Sequence, residues 1–140
     1  MLTQFKISTR GPGLREFTPE VVRWLEDSGA GDGLLTLFVR HTSCSLLIQE
    51  NADPDVQRDL QAYLARLVPP SDDPAMAYLT HTLEGPDDMP AHIKAALLPV
   101  SLSIPVSRGR IVLGTWQGIF LVEHRTHPHV RHVAAQFLGE

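Results

Sequence analysis

The sequence predicts an α+β domain of packed, mostly antiparallel β-sheets, sandwich-like, with two to three helices. Three observations carry that prediction. Short apolar segments with a period of two, such as Phe5 and Ile7 against Lys6 and Ser8, mark strands. Two helix starts, Thr18-Pro19 and Asp53-Pro54, each open a segment with apolar residues at helical spacing. Beyond Pro99 alternation returns, so strands should close the chain. The 140 residues suit one domain spanning 1–140.

In order, residues 2–9 read as a strand, and Arg10-Gly11-Pro12-Gly13 as a turn. Thr18 is expected to cap a helix carrying Val21, Val22 and Leu25 on its apolar stripe, with Gly29 ending it. Leu34–Val39 is apolar on both faces, the pattern of an interior strand, and Cys44–Ile48 is a second one. Asp53 caps the next helix, whose stripe is Val56, Leu60, Tyr63 or Leu64, and Leu67 before Pro69-Pro70 stops it. Met76–Leu79 suggests a short strand. Pro90–Leu98 suggests a short helix burying Ile93, Ala96 and Leu97. Leu102, Ile104 and Val106, then Ile111–Leu113, Ile119–Glu123 and Val130–Leu138, read as strands of a closing β-meander.

The composition is 43% hydrophobic and 20% charged, with a formal charge of −4, the profile of a soluble globular protein. That balance predicts no nucleic-acid partner and no attraction to anionic membrane. The start of the chain lacks the basic and apolar regions of a signal peptide, and the apolar runs are too short to span a bilayer. A single cysteine, Cys44, precludes an intrachain disulfide, fits a reducing cytoplasm, and reads as a small core residue.

Polar chemistry gathers in four places. His41-Thr42-Ser43 leaves an interior strand with an imidazole, two hydroxyls and backbone amides, a candidate anion or proton-transfer site. In Asn51-Ala52-Asp53-Pro54-Asp55, capping accounts for Asp53, while Asn51 and Asp55 can face a pocket. His81 through His92 holds two histidines with Glu84, Asp87 and Asp88 between them. Folded back, it can hold zinc with His81, His92 and Glu84 or Asp87, or Mg²⁺ on its carboxylates. Gly114-Thr115-Trp116-Gln117-Gly118 can stack and hydrogen-bond a heterocycle, or else form a bulge around a core tryptophan. The histidines of segment 124–132, with Arg125 and Arg131, read as an exposed hairpin tip.

Taken together, His41-Thr42-Ser43, Glu50 to Val56, Glu84 to Lys94, Ser103 to Val106 and Gly114 to Ile119 resemble the YjbQ (UPF0047) family, in order, over nearly the whole chain. The resemblance implies an α+β homotrimer with a polar pocket near the subunit interface. It also implies a thiamine-phosphate synthase activity, joining hydroxymethylpyrimidine pyrophosphate to thiazole phosphate with release of pyrophosphate. On that reading His41, Ser43, Asn51, Asp53, Glu84 and His92 are the catalytic candidates. Thr42, Thr115, Trp116 and Gln117 would contact a small phosphorylated substrate, and His81, His92 and Asp87 would hold Mg²⁺ or Zn²⁺. The alternative is a homotrimeric metal- or ligand-binding protein whose synthase activity is incidental.

Overall fold

The computed structural model describes all residues from Met1 to Glu140. Eight strands form two sheets: β1 (Leu2–Thr9), β2 (Gly13–Glu16), β3 (Gly33–Val39), β4 (Cys44–Glu50), β5 (Ser101–Ser107), β6 (Arg110–Ile111), β7 (Gln117–Glu123) and β8 (His129–Gly139). The larger sheet runs β1-β8-β3-β5-β6 and the smaller one β2-β7-β4, with antiparallel pairing throughout. Helices α1 (Thr18–Asp27), α2 (Pro54–Leu67) and α3 (Asp88–Leu97) complete the α+β architecture. No helix is long and apolar enough to cross a membrane.

The core lies between the sheets, where Leu35, Leu37 and Val39 of β3 meet Leu46, Ile119 and Leu121 of the smaller sheet. Phe17, Val21 and Leu25 add the apolar face of α1. Cys44 is fully buried among them, and burial pushes its thiol up to about 12, so it is an inert core residue.

Several expectations are corrected. The last strands are not a meander: β7 belongs to the smaller sheet and β8 returns to the larger one between β1 and β3. The reason is visible in β7, where every residue from Gly118 to Glu123 is buried, so that it must occupy the middle of a covered sheet. Thr18 does not cap α1. Its hydroxyl donates to Glu16 and accepts from the Ile119 amide at 2.8 Å, tying the helix start to β7. Met76–Leu79 is not a strand, because Asp73 caps a 3₁₀ turn at Pro74–Met76. The strand β2 had no periodic signal in its four residues.

Three further corrections concern surfaces. α2 has no fully buried residue, and Tyr63 and Leu67 are exposed. β3 is interior to its sheet, yet Leu34 and Phe38 stand on an open outer face. In α3 the buried set is Asp88, Pro90, Ala91, Lys94 and Ala95, whereas Leu97 is exposed. The helix is thus rotated away from its apolar stripe, and the polar anchors described next hold it there.

Candidate metal centre

Asp88 opens α3, and His92 follows one turn later on the same face. The loop before the helix folds back to bring His81 over them. Oδ2 of Asp88 lies 2.8 Å from Nε2 of His81 and 3.3 Å from Nε2 of His92. One ligand atom from each of the three residues falls within 4.8 Å of the others. Two ligands at about 2.0–2.1 Å from a tetrahedral ion are roughly 3.4 Å apart, so the set fits zinc after small side-chain adjustments.

The His92 tautomer suits a cation. Nδ1 of His92 donates to the Thr42 carbonyl at 3.0 Å, which leaves the Nε2 lone pair directed at a carboxylate oxygen. Two electron-rich atoms that close require a proton or a metal ion between them. The carbonyl also supplies the outer-shell partner that metal-bound histidines ordinarily have. The other oxygen of Asp88 accepts from Nη1 of Arg125 at 2.8 Å. Burial pushes the Asp88 carboxyl up, but the His81 hydrogen bond and the Arg125 charge act against it, and the carboxyl is held below the ordinary range.

Asp87 does not join this cluster, contrary to the sequence-based ligand set. Its carboxylate accepts from Nε of Arg125 at 2.8 Å and from the amide and hydroxyl of Thr126. Burial raises its carboxyl, and the Arg125 and Thr126 hydrogen bonds more than reverse that. Glu84 is exposed, 3.8 Å from His81, and lies at the rim.

Beneath the centre a buried network fixes the His41-Thr42-Ser43 turn. Nε of Arg131 donates to Glu123 at 2.7 Å, its Nη2 donates to the Ser43 hydroxyl at 2.9 Å, and Thr9 donates to Glu123 at 2.6 Å. Ser43 is therefore a structural partner of Arg131. His41 accepts from the His132 amide through Nε2 at 2.8 Å, so the neutral ring carries its proton on Nδ1. Nη1 of Arg131, 3.4 Å from that nitrogen, is then a packing neighbour rather than a donor. Burial and the Arg131 charge lower the His41 pKa and favour this neutral form.

The segment read as an exposed tip is exposed at its turn, Thr126 to Pro128, and not at its ends. His124 and Arg131 are buried, and Arg125 clamps both Asp87 and Asp88. Sequence reasoning missed these residues, although the phase of β8 held a signal. Arg131 alternates in register with Val133, Ala135 and Phe137, the inward set.

The remaining motif residues lie elsewhere. Asn51 donates to Glu16 at 3.0 Å, in the space left by Gly118, where a Cβ would collide with the Glu16 carboxylate. Asp53 accepts from the Asp55 amide at 2.9 Å and caps α2, as expected. Gln117 folds onto the Gly114 amide, Thr115 is exposed, and Trp116 is 63% exposed, which removes the core-tryptophan alternative. The β4–β7 ladder runs from Cys44 opposite Glu123 to Glu50 opposite Gln117. At about 3.3 Å per residue those ends are roughly 20 Å apart. Within one chain, then, Asn51, Asp53, Thr115, Trp116 and Gln117 do not meet His41, His81, Glu84 and His92.

Comparison with known proteins gives the chain a family. Residues 3–140 match the model of the family described as UPF0047 protein YjbQ-like. The chain belongs to that family. A UPF0047 protein of Synechocystis is 51% identical over 134 residues, covering 96% of this chain and 88% of the relative. UPF0047 protein YjbQ of Escherichia coli O157:H7 is 42% identical, covering 96% and 94%. Among solved structures, a hypothetical protein from Aeropyrum pernix superposes with a TM-score of 0.88 at 30% identity, covering 100% and 99% of the two chains. A conserved hypothetical protein from Thermus thermophilus gives 0.83 at 38% identity, covering 97% and 99%.

Proposed function

We propose that this UPF0047 chain is a small enzyme that acts on a phosphorylated heterocycle at a divalent-metal centre formed by His81, Asp88 and His92. Thiamine-phosphate formation from hydroxymethylpyrimidine pyrophosphate and thiazole phosphate is the specific candidate reaction. The observation that carries the metal reading is the lone pair of His92 Nε2 facing Oδ2 of Asp88 at 3.3 Å, with Nδ1 already donating to Thr42. When bound, the ion would supply neutralisation of a pyrophosphate leaving group. The chain's own part is positional. Arg125 fixes Asp88, Thr42 fixes His92, and the half-exposed His81 closes the set from a loop.

We further propose a homotrimer working in the cytoplasm. The outer face of the larger sheet supports self-association, with Leu2, Leu34, Phe38, Val130 and Leu138 exposed together on β1, β3 and β8. The free, buried Cys44 suits a reducing compartment.

The test is turnover. Purified protein given both phosphorylated precursors should form thiamine phosphate with Mg²⁺ or Zn²⁺ and lose product after EDTA treatment. His92→Ala should reduce kcat rather than only weaken substrate binding. A protein that binds the precursors with unchanged affinity in His92→Ala, and never turns them over, is a binder and not an enzyme.

A further inference from the structure

The sandwich is open along one side, where the strands that edge its two sheets part. β1 pairs only with β8 and β2 only with β7, so each keeps a free edge. The chain crosses between them through Arg10-Gly11-Pro12-Gly13 and leaves a cavity of about 570 Å³ there, walled by residues 8–15 and Glu123. None of His81, Asp88 and His92 lines it. Its volume is that of a small-molecule site, but Leu14 is the one apolar side chain counted in its wall, so it suits a polar guest.

The free charge in that wall is positive. Arg10 and Arg15 both line the cavity, and neither meets a carboxylate. Arg15 reaches across from β2 to β1, donating from Nη1 to the Ser8 carbonyl at 3.3 Å, with the rest of its fork of donors unused. Glu123 is the one acid present, and it is fully engaged. Its oxygens accept from Thr9, from Arg131 and from the amides of His124 and Arg125.

The backbone adds donors. The amides of Arg10 and Gly11 have no acceptor in the protein. Gly13 holds φ at +150°, which residues with side chains rarely adopt, and no atom lies within 4 Å of where its Cβ would stand. That glycine is therefore required by the path of the loop around the cavity and not by crowding. Two guanidinium groups without counter-ions in one cavity match the two charges of a phosphoryl group, and their planar forks match its oxygens.

We propose that Arg10 and Arg15, with the unpaired amides of Arg10 and Gly11, form an oxyanion site that holds the phosphoryl group of a small, polar phosphate ester between the edges of β1 and β2. This site goes beyond the metal centre at His81, Asp88 and His92 and does not rest on it.

The experiment is a titration of EDTA-treated protein with inorganic phosphate at low ionic strength, followed by calorimetry and ³¹P NMR, with sodium acetate as the carboxylate comparison. Wild type is run beside Arg10→Gln, Arg15→Gln and Arg110→Gln. All three arginines are exposed, so the variants should keep the fold, and Arg110 lies on the β6 hairpin outside this cavity. Arg10→Gln and Arg15→Gln should each bind phosphate about tenfold more weakly, whereas Arg110→Gln should stay within a few-fold of wild type. Acetate should bind wild type far more weakly than phosphate does. No phosphate binding by wild type, an equal loss in Arg110→Gln, or acetate binding as tight as phosphate would each overturn the inference, and none of them touches the metal reading.

Discussion

Nε2 of His81 lies 2.8 Å from Oδ2 of Asp88, seven residues further along the chain, across the turn that opens α3. The neighbouring carboxylate, Asp87, turns the other way onto Arg125. Two adjacent acids thus have separate tasks, and substitution separates them. Asp88→Asn should lower Zn²⁺ affinity by about 100-fold, while Asp87→Asn, which reaches Asp88 only through Arg125, should cost about tenfold or less. Competition against a chromophoric chelator measures both.

Arg131 and Glu123 are both buried, and loss of either would leave the other an uncompensated charge. Arg131→Met should destabilise the fold by about 3–5 kcal/mol, and Glu123→Met/Arg131→Met together should recover much of that. Urea unfolding of the three proteins gives the values. Equal losses in the single and double variants would show that the pair does not act as a unit.

His124 gives the fold a pH dependence of definite sign. Burial first, and then the Lys94 charge, push its pKa from 6.5 down to about 4. Between those values the unfolded chain takes up a proton that the folded chain refuses, so stability rises with pH across that window and is lost as pH falls from 6.5 towards 4. The effect is on the order of 3 kcal/mol for this one group. His124→Gln should flatten the slope in denaturant melts taken every half pH unit. The depressed carboxyls of Asp87 and Glu123 act at lower pH. Their contribution is present above about pH 4 and disappears in stronger acid.

The outer face of the larger sheet predicts self-association. Phe38 stands opposite Ala134 on β8, and Leu34 stands opposite Leu138. Leu34→Glu/Phe38→Glu should convert a trimer to monomers on light scattering behind size-exclusion chromatography. A trimer that persists in that variant would place the interface elsewhere.

How much of this was legible in the sequence depended on whether a local rule decided the residue. β1, β5 and α1 followed their periods, and Asp53 capped α2 as its position before Pro54 required. Residues 2–9 alternate because one face of β1 packs on the core, and nothing distant can alter that. The placement of β7 and β8 in different sheets was not legible, because alternation fixes a strand's faces and not its partners. Within the site, His81 and His92 could be chosen by residue type, but Asp87 and Asp88 are chemically identical in sequence. What separates them is Arg125, which arrives from the far end of β7. α3 was misjudged for the same reason. Its apolar stripe favours burying Leu97, and the Asp88–Arg125 clamp rotates Lys94 inward instead. The distance between the Trp116 and His92 ends of the β4–β7 ladder likewise exists only in the register.

Whether His81, Asp88 and His92 form a metal centre is decided by the stoichiometry of divalent-metal binding to EDTA-stripped protein, read by calorimetry and by elemental analysis after dialysis. Wild type should take up one Zn²⁺ per chain, and His81→Ala, Asp88→Ala and His92→Ala proteins that remain folded should lose that ion. Wild-type protein that holds no metal, or an ion that survives all three substitutions, would contradict the assignment.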